Sequence, residues 1–371
     1  MAGLYVHIPF CKSRCVYCGF YSTTLLSHRQ AYVDALCKEM LLRDKPHIDT
    51  IYIGGGTPSQ LDARQLRQLF DAIADCYTIA EDAEITMECN PDDVDTAFAT
   101  TLALLPVNRV SMGIQTFDDQ RLRLLCRRHT ASQAIEAVRH LREVGISNIS
   151  IDLMFAFPNQ TLEEFDDDIR QALSLGVEHI SSYGLTIEEG TPLHKMMQRG
   201  ELSAVDEDLY ADMYTLLADR LQKAGYEHYE ISNFALPGYR SRHNTSYWTD
   251  VPYLGIGAAA HSYDQAGRQW NISDIGKYIS AINAGQIPSE REVLSPYDHY
   301  NDLITTALRT SWGISIERVK QQYGTEFSQY LEDQAGRWVK MGHLVKDDGW
   351  LRLSLKGIIV SDSIMSDLIR V

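Results

Sequence analysis

The sequence predicts an α/β protein, a partial (β/α)6 barrel of the TIM type followed by a small helical, winged-helix-like domain. Two observations predict this fold class. Short apolar strands alternate with amphipathic helices six times in one uninterrupted series, and a different pattern begins after about residue 288. Strands separated by helices of this length are typical of βαβ units and a parallel sheet. An uninterrupted series favours a barrel over a sheet that reverses direction.

Six stretches rich in apolar residues predict the strands of the barrel. They are LYVHI (4–8), DTIYIGGG (49–56), EITMECN (84–90), NRVSMGIQ (108–115), NISIDLMFAFP (148–158) and HISSYGLT (179–186). In a barrel and in an open parallel sheet alike, ligands gather at the C-terminal ends of the strands. The polar residues and glycines at these ends are therefore the first candidates for a binding site.

The helices of the barrel are predicted from apolar residues at helical spacing. They cover 27–43, 59–76, a stretch from about 93, 131–145, 161–176 and about 206–224. From these patterns we assign residues 1–230 to the barrel. Residues 231–288 are assigned to a connecting segment and residues 289–371 to the C-terminal domain.

The C-terminal domain is predicted to contain three helices and a hairpin. The helices cover 298–311, 315–324 and 326–342, and the hairpin LVKDDGWLRLS has Asp-Gly in its turn. This arrangement resembles a winged helix. From residue 290 onward there are 10 Lys and Arg against 12 Asp and Glu, so the domain lacks the basic face that DNA binding requires. A structural or partner-docking role is expected instead.

Composition excludes several classes of protein. Apolar residues make up 44% of the 371, enough for a large core, and the net charge of −16 argues against nucleic-acid binding and a polybasic membrane anchor. The N-terminus does not resemble a signal peptide, and no apolar run is long enough for a transmembrane helix. We expect a cytoplasmic protein. In a reducing compartment, clustered cysteines indicate metal binding or catalysis rather than disulfides.

Three of the seven cysteines are clustered in HIPFCKSRCVYCGFYS, at Cys11, Cys15 and Cys18. Three sites fit such a cluster. Structural zinc takes four ligands, usually as two separated pairs, and no second pair is present. A thioredoxin-like pair leaves Cys11 without a role. A [4Fe–4S] cluster held by three thiolates leaves one iron open for chemistry. The other four cysteines, including Cys126, are predicted to be small buried hydrophobes.

The C-x3-C-x2-C spacing resembles that of the radical S-adenosylmethionine (SAM) enzymes. The resemblance implies that Cys11, Cys15 and Cys18 bind a [4Fe–4S] cluster. It also implies that the open iron chelates the methionine moiety of SAM, and that reduction of the cluster cleaves SAM to a 5′-deoxyadenosyl radical. In such a site the cofactor supplies the difficult chemistry and the protein positions it.

Residues at the predicted strand ends fit a SAM site. The glycines of GGGTPS permit close approach of the backbone, and their N–H groups suit the carboxylate of SAM. Motifs that match the family imply a set of SAM contacts, to which Tyr17 is added because it lies inside the cysteine loop. The set is Tyr5, Tyr17, Gly55, Gly56, Thr57, Glu88, Gln115, Arg127 and Asp152.

The motifs LYVHIPFC, IYIGGGTPS, SMGIQTF and IDLMFAFPNQT resemble the oxygen-independent coproporphyrinogen III oxidase group. The resemblance covers nearly the whole chain. The dehydrogenases of this group carry a further cysteine two residues after the third one and a longer segment before the cluster. Here Phe20 occupies that position, and Cys11 lies near the start. Both departures indicate the other subgroup, the haem chaperones of the HemW type.

The hexad HNTSYW, residues 243–248, matches the signature of that subgroup. The resemblance implies that His243 is a haem ligand or close haem contact and that Trp248 lies against the macrocycle. An imidazole is a common axial haem ligand, and Trp offers a flat apolar face. An axial imidazole would make haem binding weaken below about pH 6. His261 is a second candidate, but it is predicted to be a buried structural histidine.

The sequence thus predicts a haem chaperone that binds [4Fe–4S], SAM and haem and delivers haem to a haemoprotein acceptor. The alternative is an oxygen-independent coproporphyrinogen III oxidase that forms protoporphyrinogen IX. Whether the protein acts as an enzyme is left open. Its expected partners are haem, the acceptor and an electron donor for the cluster. A peripheral contact with a membrane acceptor is possible, and nucleic acid is excluded on charge.

Overall fold

One large sheet, whose six central strands are parallel, dominates the computed structural model, which describes residues 2–370. The six strands are adjacent in chain order: β1 (Ala2–Ile8), β2 (His47–Gly55), β3 (Thr78–Cys89), β4 (Arg109–Gln115), β5 (Ile149–Phe155) and β6 (His179–Gly184). Their side chains are largely buried, as expected for a parallel sheet covered on both faces. The predicted α/β fold with six strand–helix units is confirmed.

Eight helices accompany these strands. They are α1 (Arg29–Leu42), α2 (Ala63–Cys76), α3 (Thr96–Ala103), α4 (Asp119–Leu124), α5 (Ala131–Glu143), α6 (Leu162–Ser174), α7 (Pro192–Gln198) and α8 (Glu207–Lys223). Local sequence fixes where several of them begin. Asp62, Thr130 and Thr161 form capping boxes with the residue three positions later, so that orphan N–H groups of the first turn are satisfied.

The strand register brings the C-terminal ends together at one edge of the sheet. Ile8 at the end of β1 pairs with Gly55 of β2, and Gly113 of β4 pairs with Asp152 of β5. The register between β4 and β5 shifts after Gly113, where the chain bends. Polar residues that are more than 100 positions apart in the chain therefore meet at this edge.

Short strands extend both sides of the sheet. On the β6 side lie β7 (Glu227–Glu230) and β8 (Asn233–Ala235), followed in the chain by helix α9 (Arg242–Tyr247). On the β1 side lie β9 (Tyr253–Ile256), β10 (His261–Tyr263), β11 (Gly267–Asn271) and β12 (Ser289–Val293), with α10 (Ile275–Asn283) before β12. Strand β1 thus lies between β2 and β9, with Val6 opposite Ile256. The segment predicted as a connection supplies strands to the large sheet.

A buried carboxylate joins the β1 side of the sheet to α1. Glu39 is fully buried and accepts hydrogen bonds from Arg43 and from the backbone N–H of Gly257. It also accepts from Asn271 on β11 and Tyr278 on α10. A buried charge is tolerated when it is paired and fully hydrogen-bonded. This network therefore positions β9 to β11 beside the strand that precedes the cysteines.

The C-terminal residues form a separate small core. Its helices are α11 (Pro296–Ala307), α12 (Ile316–Tyr323), α13 (Thr325–Lys340), α14 (Leu355–Ile359) and α15 (Ser361–Leu368), and its strands are β13 (Ile314–Ser315), β14 (Leu344–Asp347) and β15 (Trp350–Leu353). β15 pairs with both other strands. Asp348 and Gly349 both have positive φ, as the predicted hairpin turn requires. The winged-helix-like domain is confirmed. Within residues 2–370, no helix is both long enough and apolar enough to cross a membrane.

Candidate functional site

The C-terminal ends of the central strands surround a cavity of about 560 Å³. It is lined by every residue predicted for the cluster or for SAM: Tyr5, Cys11, Cys15, Tyr17, Cys18, Gly55, Gly56, Thr57, Glu88, Gln115, Arg127 and Asp152. These residues come from β1 to β5 and from the loops that follow them. One cavity therefore brings the three thiols of the cysteine motif together with the carboxyls of Glu88 and Asp152 and the guanidinium of Arg127. It is also lined by Cys89, Cys126, Glu188 and Arg128.

The cysteine loop follows β1 and is tied down by backbone hydrogen bonds. Cys11 N–H donates to the carbonyl of Thr23, and the Cys11 Sγ lies 3.5 Å from Thr57 Oγ1. A guanidinium nitrogen of Arg127 donates to Cys15 Sγ at 3.5 Å. Burial raises the pKa of the Cys11 and Cys18 thiols, so the residues present do not stabilise free thiolates there. Metal binding, which requires deprotonated thiols, would supply that stabilisation.

The glycines after β2 permit close packing rather than offering free N–H groups. Gly55 has φ +110°, and its N–H donates to Glu88 Oε2 at 3.0 Å. Gly56 N–H donates to the carbonyl of Ile8, and a Cβ on Gly56 would lie 2.7 Å from the carbonyl carbon of Pro9. The expectation that these two N–H groups are free for a carboxylate is wrong, because the strand ladder and Glu88 already use them. Only glycine fits at these positions.

Glu88 and Asp152 line the cavity, and burial raises the pKa of both carboxyl groups. Glu88 accepts from the Tyr52 hydroxyl at 2.8 Å, and burial raises its pKa. Burial, and then the negative charge of Glu88, raise the pKa of Asp152 to about 7. A cation bound between the two carboxyl groups would favour their ionised forms and so lower both pKa values. SAM carries a sulfonium and an ammonium group, so the donor set fits this cofactor.

Arg127 and its neighbour Arg128 both line the cavity, and it is the guanidinium of Arg127 that contacts Cys15. Arg127 donates to Asn90 Oδ1 at 2.8 Å and to the carbonyl of Gly113 at 2.6 Å, in addition to Cys15. Its Nε is buried and has no partner within residues 2–370. Arg128 instead forms ion pairs with Asp92 and Asp93. The arginine named from the sequence, Arg127, is thus the one whose guanidinium lies beside the thiol of Cys15.

The backbone is strained where the strands end. Gln115, Cys126 and Ala156 are non-glycine residues with positive φ, between 58° and 72°. Such residues cluster at functional sites because surrounding structure must hold them in place. Cys126 was predicted to be buried, and this is wrong. The chain turns out of α4 at this point, which leaves Cys126 exposed on the cavity wall.

Sequence reasoning missed several residues that line the same cavity. They include Tyr52, Asn90, Ser181, Tyr183 and Asn244. Tyr52 could have been found, because it lies two residues before Gly54 and therefore on the same face of β2. Asn244 could not have been placed here by sequence proximity. It reaches the barrel from α9, which lies far along the chain.

The hexad forms α9 and the residue after it. The carboxylate of Glu84 accepts from the N–H groups of Arg242 and His243 at 2.9 Å each, which anchors the start of this helix in the barrel. His243 is fully buried, and both ring nitrogens have protein partners. Nδ1 lies 2.8 Å from Thr50 Oγ1, and Nε2 lies 2.9 Å from the Tyr247 hydroxyl.

The surroundings of His243 keep its imidazole neutral. Burial, and then the Arg109 charge, lower its pKa to about 3. A loss of haem near pH 6 through protonation of His243 is therefore not expected from this structure. That its ring ligates haem iron stays a prediction, and ligation requires at least one of its two hydrogen bonds to break. Trp248, at the end of α9, lies on the wall of a second cavity.

Comparison with known proteins identifies two regions. Residues 5–172 match the Radical SAM superfamily, and residues 294–360 match the HemN C-terminal domain. Among solved structures, coproporphyrinogen III oxidase (HemN) from Escherichia coli, described as a radical SAM enzyme, shares this fold with a TM-score of 0.86. At 23% identity, the match covers 99% of this chain and 90% of that chain.

Curated relatives span nearly the whole chain. "Heme chaperone HemW" of Lactococcus lactis is 36% identical over 97% of this chain and 95% of its own length. The protein of the same name from Bacillus subtilis is 36% identical over 90% of this chain and 91% of its own. A mitochondrial radical S-adenosyl methionine domain-containing protein 1 from Danio rerio is 30% identical over 99% of this chain and 87% of its own.

These similarities select one of the three interpretations of the cysteine cluster. Zinc and a thioredoxin-like pair are set aside, since the cofactors of the superfamily are a [4Fe–4S] cluster and SAM. The thiols, carboxyls and guanidinium gathered in the strand-end cavity fit both cofactors. Two curated relatives are 36% identical over at least 90% of this chain, and this similarity establishes the family. The chain belongs to the HemW family of the radical SAM superfamily.

Proposed function

We propose that this protein is a haem chaperone that binds a [4Fe–4S] cluster, SAM and haem and passes haem to a haemoprotein. The observation that carries the proposal is that the hexad connects two cavities. Asn244 lines the strand-end cavity, whereas Tyr247 and Trp248 line a second cavity beside the C-terminal domain. The names of the curated relatives, heme chaperone HemW, support the same function.

The strand-end cavity would hold the first two ligands. Cys11, Cys15 and Cys18 would hold the cluster, which supplies reducing chemistry to SAM when both are bound. Glu88 and Asp152 would bind and orient the cationic groups of SAM. The glycines after β2 let the backbone approach the ligand closely.

One position on the cysteine loop supports a chaperone over a decarboxylase. Phe20 occupies the place of a further cysteine in the related dehydrogenases, and its side chain is 73% exposed at the cavity rim. A phenyl ring cannot ligate metal or act as a thiol. The alternative function, oxidation of coproporphyrinogen III, therefore lacks a residue that it uses elsewhere in the group.

We expect no coproporphyrinogen III decarboxylase activity. Anaerobically reconstituted protein, given SAM and an electron donor, should form no more protoporphyrinogen than a control without protein. The measurement is product fluorescence after oxidation to protoporphyrin. Product formation that depends on both SAM and protein would overturn the chaperone proposal and favour the alternative.

Haem binding by the whole protein tests the proposal directly. Titration with haem should give a saturable Soret band near one equivalent. Trp248→Ala should lower the affinity by about tenfold, because stacking on the macrocycle is lost. A second assay follows transfer of the bound haem to an apo-haemoprotein. If the parent protein binds no haem, the proposed function fails.

The proposed function also implies partners for the protein and a place in the cell. A haemoprotein would accept haem, and a redox protein would reduce the cluster. We propose a cytoplasmic location, with peripheral contact where the acceptor lies in a membrane. The hexad stays assigned to haem, with Trp248 against the macrocycle and His243 as a ligand or close contact.

A further inference from the structure

A cavity of about 810 Å³ separates the barrel from the C-terminal domain. Its size lies within the range of about 300–1,000 Å³ that is usual for cofactor sites. Three of the five tryptophans of the chain line it, namely Trp248, Trp312 and Trp350. Trp248 belongs to the barrel, and the other two belong to the C-terminal domain. Flat aromatic faces therefore reach this cleft from both sides.

Two basic residues in the cleft differ in what they already bind. Arg268 is paired with Asp302 and Glu292. Arg318 donates to the side chain of Gln322 and has no carboxylate partner among residues 2–370. A ligand carboxylate would therefore find a free cation at Arg318. The indole N–H of Trp248 is also buried without a partner in the described part of the chain. Such a donor indicates a missing acceptor.

One histidine lines the cleft with its ring nitrogens unused. The side chain of His299, on α11, is half-buried and makes no hydrogen bond within residues 2–370. By contrast, both nitrogens of His243 are engaged behind the cleft, where it contacts the Tyr247 hydroxyl. A neutral imidazole with a free nitrogen is the group that ligates haem iron. His299 can do this without losing an existing bond.

We infer that haem binds in this interdomain cleft, with His299 as the axial ligand of the iron. Trp248 and Trp312 pack against the macrocycle, and Arg318 pairs with a propionate. This inference rests on the proposed function, which supplies haem as the ligand. In this arrangement His243 supports Tyr247 from inside the barrel, and the ligand role that the hexad assigns to His243 passes to His299.

The position of the cleft suits a protein that must release its cargo. Its two walls belong to separate hydrophobic cores, one in the barrel and one in the C-terminal domain. Backbone hydrogen bonds join the two, including Ile231 N–H to the carbonyl of Arg309 and Ser311 N–H to the carbonyl of Tyr229. Rotation about this junction would part the walls without disturbing either core.

A second free imidazole provides a matched control. His261, predicted to be buried, is instead exposed on the short strand β10, where its ring stacks on that of Trp270. Its ring also makes no hydrogen bond to residues 2–370. It lines a different cavity, between β9, β10 and the cysteine loop. Haem at His261 would lie beside Phe20 rather than between the domains.

The test is haem titration of the full-length protein and of four variants, followed by absorbance and electron paramagnetic resonance. The variants are His299→Ala, Trp312→Ala, His261→Ala and His243→Ala. His299→Ala should shift the Soret band and lower affinity by about tenfold or more, and added imidazole should restore the parent spectrum. Trp312→Ala should lower affinity while the axial-ligand signature stays the same. His261→Ala should bind as the parent does. Circular dichroism and iron content verify that each variant folds.

Three outcomes distinguish an error in the proposed haem site from an error in the proposed function. A parent spectrum and affinity in His299→Ala would overturn the cleft assignment, and loss in His261→Ala would then place haem beside the cysteine loop. Loss of the axial signature only in His243→Ala would restore the hexad histidine as the ligand. If the parent protein itself binds no haem, the proposed function fails.

Discussion

Replacement of Cys11, Cys15 or Cys18 with Ala is expected to abolish cluster binding. The parent protein should hold about four irons after anaerobic reconstitution, because a cubane needs all three thiolates that the loop supplies. Each variant should retain almost no iron or sulfide and lose the broad charge-transfer absorbance. Iron and sulfide analysis, with electron paramagnetic resonance of the reduced protein, measures this. Stoichiometric zinc without iron in the parent protein would contradict the assignment.

The matched control is Cys126→Ala. Its thiol is exposed on the same cavity wall but lies outside the C-x3-C-x2-C motif. Its removal should leave the iron content unchanged. If Cys126→Ala lost the cluster while one of the loop variants kept it, the ligand set would have to be redrawn around the cavity wall.

Replacement of Asp152 with Ala should weaken SAM binding by about tenfold to a hundredfold and leave the iron content intact. The reason is that the proposed function places this carboxyl against the cofactor and not the metal, and a charged hydrogen bond contributes about 1.5–3 kcal/mol. Equilibrium binding of SAM to the reconstituted protein measures the effect. The matched control is Asp168→Asn. Asp168 is also buried, but it accepts from Thr116 and Phe117 N–H outside the cavity. An unchanged SAM affinity in Asp152→Ala would refute the contact.

The same carboxyl predicts a pH effect on stability before SAM binds. Folding raises the pKa of Asp152 from its ordinary 3.8 to about 7, so the folded state holds a proton that the unfolded state has lost. Stability should therefore fall as pH rises from about 4 to 7, and remain lower above it. Asp152→Asn should be the more stable protein at pH 8, on the order of 4 kcal/mol, with little difference at pH 4. Urea unfolding at both pH values tests this.

Most of the central fold could be predicted because each strand of the barrel is buried on both faces. Continuous apolar runs predicted all six strands, and apolar residues at helical spacing predicted the helices between them. The start of β3 was missed by six residues, since Thr78 to Asp82 are mostly exposed and carry no apolar pattern. The strands between residues 231 and 288 were missed because they are three to five residues long, too short to show a period.

The strand-end cavity could be predicted because parallel strands carry their ends to one edge. The order of the strands and the residue that follows each one are enough to place this cavity. The same information does not place α9, because the burial of this helix depends on Glu84 and Thr50, which are far away in the chain. Nor does the sequence show that, within residues 2–370, both ring nitrogens of His243 have partners while those of His299 have none. The accessibility of a ring nitrogen is determined by how the domains pack together, and no local sequence pattern predicts that packing.

The position of β1 between β2 and β9 has a consequence for how the protein is made. The cysteine loop leaves the ribosome directly after β1, but the strand that covers the second edge of β1 follows about 250 residues later. At 5–20 residues per second, that is roughly 12 to 50 s of translation. Through this interval the thiols lie on the open margin of a half-made sheet, exposed to oxidation and to stray metals. We therefore expect the strand that carries the cysteine loop to gain its second neighbour, and its final rigidity, only when β9 docks.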